Sequence, residues 1–471
     1  MESGKNSALK AGIWYIVCNI ITNGMHLITT PIFTRILSQE DYGITVTYNS
    51  WLSILTIIAT LDLYSCIQLS KIEYDNESDE FLSSILGLSS ISVGIFYILF
   101  RLTLLIKPNW FGMPNILIEI LFAEILFRNA YTLLQTKHRA YLKYKEFVIT
   151  TIITAVAGQA LSAFLVITMK QDQYLGRILG TAIPFFIAGL FIIIIVFYKG
   201  KTFFNRDYWT FGLKLSVPLI PHHLSGNILT QFDRIIINMC VGVSFSALYS
   251  LASNYALIVQ VVWNSLNNAW IPWFYEQMKT KNITVIQRFV KPYTIFFSII
   301  IIGAVALGPE AIMILGGEAY MDSLCVVPPI ILGIYFQFLY SLYSNIEFYH
   351  KRTAKLALWT VIAAIANMIL NYIFIPRYGY VAAAYTTLIS YILLFALHYR
   401  TARKLEDQDI YNTKFLSAAT LITIILVVIV YNLYSTIILR YGFIIALCGL
   451  SCVYIFKNRT LFFTMLKSKK K

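Results

Sequence analysis

The side chains able to do chemistry in this sequence are those that interrupt its apolar runs. They are Asp62, Glu119, Glu124, Arg128, Asp233 and Arg234, together with His26, His222 and His223. A charged group in hydrocarbon is expensive, so each must face a protein interior or a wet cavity, and each is a candidate for function. Glu124 and Arg128 stand i,i+4 on one helix, a spacing that suits an intrahelical ion pair as well as a substrate contact. Asp233 and Arg234 are adjacent and point about 100° apart on a helix, so one can face a cavity while the other pairs elsewhere. Arg234 continues a polar stripe and is the cavity candidate. Asp62, Glu124 and Asp233 are the carboxylates that suit a coupling ion.

The polar residues fall in stripes. Asn19, Thr22, Asn23, His26 and Thr29/Thr30 recur at helical intervals in one run, and Ser216, His223, Asn227, Thr230/Gln231 and Arg234 in another. A third run adds Ser253/Asn254, Gln260, Asn264 and Asn267. A single amide or hydroxyl in such a place more often ties two helices together. Matching stripes on several helices favour a shared cavity. Arg35, at the end of the first run, suits an anion or can snorkel to lipid headgroups. Trp263, Trp270 and Trp273 are candidate aromatic platforms, while most of the 32 Tyr and 8 Trp are expected in the interfacial belt.

The elements that must position these residues follow from composition. Of 471 residues 58% are apolar and 13% charged, and the mean hydropathy is +0.69. An ordinary soluble domain, about half apolar and a quarter charged, is excluded. Apolar runs lie at about 11–34, 44–68, 81–106, 115–136, 147–169, 176–198, 213–241, 245–272, 289–315, 326–349, 356–375, 380–399, 415–435 and 438–456. This predicts an all-α polytopic membrane protein with about 14 transmembrane helices. The runs are continuous rather than alternating, which excludes a spanning barrel.

The net charge of +14 then reads as topology rather than as a nucleic-acid footprint. With an inner N-terminus and strict alternation, about 28 of the 37 basic residues fall on one side. They cluster at Lys137–Lys145, Lys199–Lys214, Lys279–Lys291, Lys351–Lys355, Arg400–Lys414 and in the tail from Lys457. About seven, including Lys107, Lys170, Arg177, Arg377 and Arg440, fall on the other. Both termini are therefore expected in the cytoplasm, with no cleaved signal peptide. The acidic stretch 71–80 runs against the bias. The basic connection 198–214 suggests two six-helix lobes in parallel repeat, 1–200 and 201–405, plus two additional helices and the basic tail in 406–471. The six cysteines form neither a metal motif nor a disulfide framework. No Gly-x4-Gly-Lys-Ser/Thr stretch is present, so no nucleotide cofactor is expected and energy must come from an ion or the membrane potential.

Three segments carry a resemblance. Pro31-Ile-Phe-Thr-Arg-Ile-Leu-Ser-Gln-Glu-Asp-Tyr-Gly43 joins the first two spans, and Gln231-Phe-Asp-Arg-Ile-Ile-Ile-Asn238 is followed by Gly242 and Ala247-Leu-Tyr-Ser250. Asn367-Met-Ile-Leu-Asn371 precedes Ile375-Pro376-Arg-Tyr-Gly379 and Ala382-Ala-Ala384. Together these resemble the multidrug/oligosaccharidyl-lipid/polysaccharide exporter superfamily and, within it, the polysaccharide transporter family of Wzx-type flippases. Ala247 and Ala382 stand where that family often has Gly.

The resemblance implies a carrier, not an enzyme, that flips an undecaprenyl-pyrophosphate-linked oligosaccharide repeat unit across the bacterial cytoplasmic membrane for exopolysaccharide, capsule or O-antigen. It implies coupling to a proton or sodium ion, membrane lipids as surroundings, and glycosyltransferases and a polysaccharide polymerase as partners. Such a substrate needs cations for phosphate, for which Arg35, Arg128 and Arg234 are candidates, and polar groups for sugar hydroxyls, such as Asn23, His26, His223, Asn227 and Asn264. The competing readings are a drug/cation antiporter or lipid II flippase of the same superfamily, and a polytopic polysaccharide polymerase. A polymerase usually carries a large outer loop with catalytic acids; here Glu310–Asp322, the longest acidic connection, reads as a solvated turn.

Overall fold

The computed structural model describes residues 2–106 and 111–457. Lys107 and the basic tail beyond residue 457 lie outside them. Every regular element among the described residues is helical, and the chain divides into two compact units, Met1–Ala247 and Leu248–Lys471. In the first, α1 (Glu2–Ile36), α2 (Gln39–Ala59), α3 (Ile67–Glu73), α4 (Ser78–Ile106), α5 (Ile116–Ala140), α6 (Tyr144–Thr168) and α7 (Gln173–Gly200) precede an interrupted helix. That helix comprises α8 (Arg206–Ser216), α9 (Ile220–Asn227) and α10 (Asp233–Cys240). α11 (Val243–Lys279) begins at the edge of the first unit; α12 (Ile283–Ala306), α13 (Gly308–Gly316), α14 (Val327–Tyr349), α15 (Thr353–Tyr378), α16 (Tyr380–Leu405), α17 (Thr413–Asn432) and α18 (Ile437–Lys457) form the second.

Ten of these helices are long and apolar enough to cross a membrane, or eleven when α2 and the bent segment after it count as one span. The difference from fourteen has local causes. α5 carries Glu119, Glu124, Arg128, Lys137 and Arg139 along its length, residues 206–240 are broken into short pieces, and the apolar part of α18, Ile437–Cys452, is short.

Close backbone approach knits the first unit. A Cβ on Gly180 of α7 would stand 2.2 Å from Ser162 Cα of α6, and one on Gly189 would stand 2.5 Å from the Phe127 carbonyl of α5. Small residues thus allow α7 to lie directly on both neighbours, the packing that apolar solvent favours. At the start of α2, Ser38 caps the helix by accepting from the Asp41 amide at 3.0 Å. Gly43, one turn on, leaves room for the Val243 carbonyl, which a Cβ would meet at 2.1 Å. The first two resemblance segments therefore touch.

The acidic stretch 71–80 is explained by its neighbours. Asp79 pairs with Lys137 at 2.6 Å, Tyr141 donates to Asp75 at 2.8 Å and Tyr208 donates to Glu77 at 2.5 Å. The stretch lies against Lys137 and Tyr141 of the 137–145 connection, and Lys137 pairs with one of its five acids.

The third segment is structural. Asn367 and Asn371 are fully buried; Asn371 donates to Asn367 at 3.1 Å, Asn367 donates to Thr387 at 3.0 Å, and Thr386 donates to Asn371. The pair ties α15 to α16, with Ala383 and Ala384 buried beside it. Trp263 and Trp270 are core as well: Trp270 stacks on Tyr293 at 4.6 Å, so it is no free sugar platform, and the half-buried Trp273 packs on Phe289 at 5.1 Å. Residues 308–326 are helical rather than a solvated turn. Glu310 there bonds Arg440 and accepts from Tyr441 at 2.9 Å, so Arg440, counted in the sequence with the flanking cations, is buried at the start of α18.

Candidate functional site

Two helix interruptions meet in the first unit. After α2 the backbone turns left-handed at Leu61 and Asp62, with φ of 52° and 53°, and passes through a 3-10 turn, Leu63–Cys66, bending the path by 57°. Neither residue is Gly, so the conformation is held at a local cost of roughly 1–2 kcal/mol per residue. The second interruption contains Pro218 and Pro221, which lack the amide that an unbroken helix needs, and a π turn, Ile228–Phe232. Interrupted helices of this kind are where membrane carriers place their ligand groups.

Asp62 and His223 join the two breaks. The carboxylate is fully buried; its Oδ2 accepts from Ser65 Oγ at 2.7 Å and shares a 2.7 Å hydrogen bond with His223 Nδ1, while Oδ1 has no partner. The His223 ring stacks on Tyr64 at 6.2 Å and abuts His222 at 5.6 Å. Asn227 donates to the His223 carbonyl at 3.3 Å. An imidazole on a buried acid, with one carboxylate oxygen left unbonded, can take up and release a proton without leaving a bare charge in hydrocarbon.

A second constellation lies further along α2. Tyr48, fourteen residues before Asp62 and so about 20 Å away along a helix, donates to Glu124 at 2.7 Å. Arg128 also bonds Glu124 and sits 4.0 Å over the Phe185 ring. The i,i+4 spacing has thus produced the intrahelical pair, and Tyr48 and Phe185, invisible as partners in the sequence, complete it.

Arg177, counted in the sequence with the outer flanking cations rather than with the charges inside the runs, lies one turn into α7. Its guanidinium donates to Gln159 at 2.9 Å and stands 3.7 Å over the Phe33 ring, with no ion-pair partner among the described residues. Only one of its five N–H donors is engaged, and the side chain is half-buried rather than sealed. Both Arg177 and Arg128 act electrostatically on the His26 imidazole of α1. His26, Arg128 and Arg177 therefore form a basic group in which, among the described residues, Glu124 pairs with Arg128 alone.

Arg234 follows the π turn and donates to the Thr230 carbonyl and, at 3.1 Å, to Gln231 Oε1, which also accepts from Ser50 of α2 at 3.4 Å. Asp233 beside it is buried. Tyr48 and Ser50 are two residues apart on α2, so Arg128 and Arg234 come to one level but to different sides of that helix. Asn23 and Arg35 are exposed on α1, and Asn264 is exposed on α11 in the second unit.

Broken helices, a buried acid–imidazole pair and a basic cluster are thus set in a polytopic all-helical membrane protein. The chain belongs to the family described as Polysaccharide biosynthesis protein, whose model matches residues 8–278. It is 22% identical over 285 residues to Lsg locus putative protein 1 of Haemophilus influenzae, covering 59% of this chain and 68% of that one. It is 21% identical over 408 residues to an uncharacterized membrane protein, MJ1375, of Methanocaldococcus jannaschii, covering 83% and 97%. Among solved structures it is similar to the lipid II flippase MurJ in an inward closed conformation, with a TM-score of 0.74 and 18% identity over 96% of this chain and all of that one. A multidrug resistance MATE family transporter in an inward-facing conformation follows, with a TM-score of 0.56 and 14% identity over 85% and 99%. These two likenesses show the fold.

Proposed function

We propose that the protein flips an undecaprenyl-pyrophosphate-linked oligosaccharide from the inner to the outer leaflet of the bacterial cytoplasmic membrane, acting as a carrier rather than an enzyme, with both termini inside. The observation that carries this reading is Arg177. A guanidinium with four unused donors inside a membrane helix, next to His26 and Arg128, is a site for an anion with several oxygens, such as a pyrophosphate. Arg234 and Arg35 supply further cations, and Asn23, Asn227 and Asn264 suit sugar hydroxyls. In this reading the Asp62–His223 pair couples transport to protons, and Glu124 holds Arg128. Glycosyltransferases would supply the substrate and a polymerase would consume it.

Lipid II is the alternative cargo, suggested by the fold shared with MurJ. Deletion of the gene should leave lipid-linked repeat units on the inner leaflet and reduce surface polysaccharide. Rescue of a strain depleted of its lipid II flippase would instead assign lipid II. Normal surface polysaccharide with altered drug sensitivity would assign the antiporter.

A further inference from the structure

The second unit holds a depression of about 550 Å³ that the reading above does not use. It lies where the 3-10 segment Glu318–Val326, the start of α16 and the end of α17 meet, at the end of the unit away from the basic connections 349–353 and 405–413. Its volume is that of a small-ligand site, roughly 300–1,000 Å³. The walls carry Asp322, Tyr380, Tyr431, Asn432, Tyr434 and Ser435.

The arrangement is fixed from behind. Tyr380 donates to the Asp322 carbonyl at 2.8 Å, and Cys325 Sγ donates to the same oxygen at 3.0 Å. Tyr434 donates to the Val305 carbonyl at 2.7 Å, and burial pushes its phenol well above the ordinary value, so it stays a donor. Tyr431 packs edge-on against Tyr434 at 5.3 Å and keeps an exposed face. Asn432 gives its amide nitrogen to Val428 at 2.8 Å, which leaves its amide oxygen as an acceptor. The Asp322 carboxylate is exposed and makes no ion pair among the described residues.

The ligand class follows from what the walls offer and what they lack. Aromatic faces suit the C–H face of a pyranose, and a carboxylate with an amide oxygen and a hydroxyl suits adjacent sugar hydroxyls. No Lys, Arg or His lines the depression, so a phosphate or another anion would meet Asp322 uncompensated. We infer that this depression is a saccharide subsite for a phosphate-free hexopyranose of a glycan, separate from the basic cluster of the first unit. The flippase reading contributes only the source of the glycan; binding is tested by itself.

The test is saturation-transfer NMR on the full chain in lipid nanodiscs, with glucose, galactose, N-acetylglucosamine and N-acetylgalactosamine as probes at millimolar concentration. At least one should receive saturation at its ring protons. Tyr431→Ala and Asp322→Asn should each weaken binding about tenfold, the loss of one ring face or one hydrogen-bonding group. Tyr431→Phe, which keeps the ring, should retain it. Both positions are exposed, so the variants should fold. No transfer to any probe, or transfer unchanged in the Tyr431→Ala, Asp322→Asn double variant, overturns the inference. Sugar bound at Tyr431 by a protein whose deletion leaves polysaccharide export intact would sink the flippase reading and keep the subsite. Export that needs the protein, with no sugar bound, would do the reverse.

Discussion

Asp62 and His223 share a 2.7 Å hydrogen bond between two helices that are each interrupted at that point. The bond spans 161 residues of sequence and buries a carboxylate whose second oxygen is unsatisfied. It is stable as a pair and costly when halved, because the remaining partner keeps its desolvation penalty.

Asp62→Asn should therefore leave the protein in the membrane but remove the dependence of export on external pH. Wild-type export into acidified medium should exceed that at alkaline pH, while the variant shows a low, flat rate. The measurement is surface polysaccharide deposition against pH at matched abundance. A variant that keeps the wild-type pH profile would remove the pair from ion coupling.

Glycine packing makes a stability prediction with an internal control. Gly180→Ala and Gly189→Ala put a methyl group into Ser162 and Phe127 backbone atoms, whereas a Cβ on Gly158 would stand 3.7 Å from its nearest neighbour. Overpacking of this kind costs about 1–3 kcal/mol. In detergent the first two variants should melt several degrees below the wild type and Gly158→Ala close to it. Equal melting of all three would mean that α7 does not rest on α5 and α6 as described.

The buried amide ladder should behave as glue rather than as a ligand site. Asn371→Ala removes bonds to Asn367 and Thr386, each worth about 0.6–2 kcal/mol in a membrane bundle. Thermal stability should fall, and export per folded molecule should stay at the wild-type level. A variant of normal stability that exports poorly would place Asn371 on the transport path.

The helices were legible because apolar runs of spanning length leave one solution in lipid, but the breaks were only half legible. Pro218 and Pro221 announce one of them. Leu61 and Asp62 do not announce the other, since their left-handed backbone is imposed by packing and by the bond to His223, a contact no local pattern encodes. Glu124 with Arg128 was readable from i,i+4 spacing, but Tyr48, from another helix, was not. Arg177 was counted with the flanking cations because it stands at the very start of its apolar run, at about residue 176, whereas the helix already starts at Gln173. The useful signal was Gln159 with Phe33, which flank the half-buried guanidinium only once α1, α6 and α7 are folded together. The tryptophan expectation failed at Trp270 because an apolar face of α12 was available to cover it.

Topology can be settled with introduced cysteines. Residues placed in 137–145 and 351–355 should be protected from an impermeant thiol reagent in intact cells, and one placed at Asp322 should react. The opposite pattern would invert the membrane orientation and with it the direction of proposed transport.

Arg177, set against α1 and α6, and Arg234, at the π turn, separate the basic-cluster reading from its rival. If Arg177 binds the pyrophosphate, Arg177→Gln should lose a charge-assisted contact of about 1.5–3 kcal/mol, or roughly 10- to 150-fold in apparent affinity. Arg177→Lys should recover only part, because a point charge cannot reproduce the planar fork over Phe33. Arg234→Ala should show the same loss if its side of α2 also meets the head group, and Asp233→Asn should then act through Arg234 alone. Export at matched membrane abundance, measured against cargo concentration, distinguishes these outcomes. Loss with Arg234→Ala and none with Arg177→Gln would move the phosphate site from the α1–α6–α7 cluster to the π turn. Loss with Arg177→Gln alone would leave Arg234 as the group that holds the interrupted helix in register, through Thr230 and Gln231.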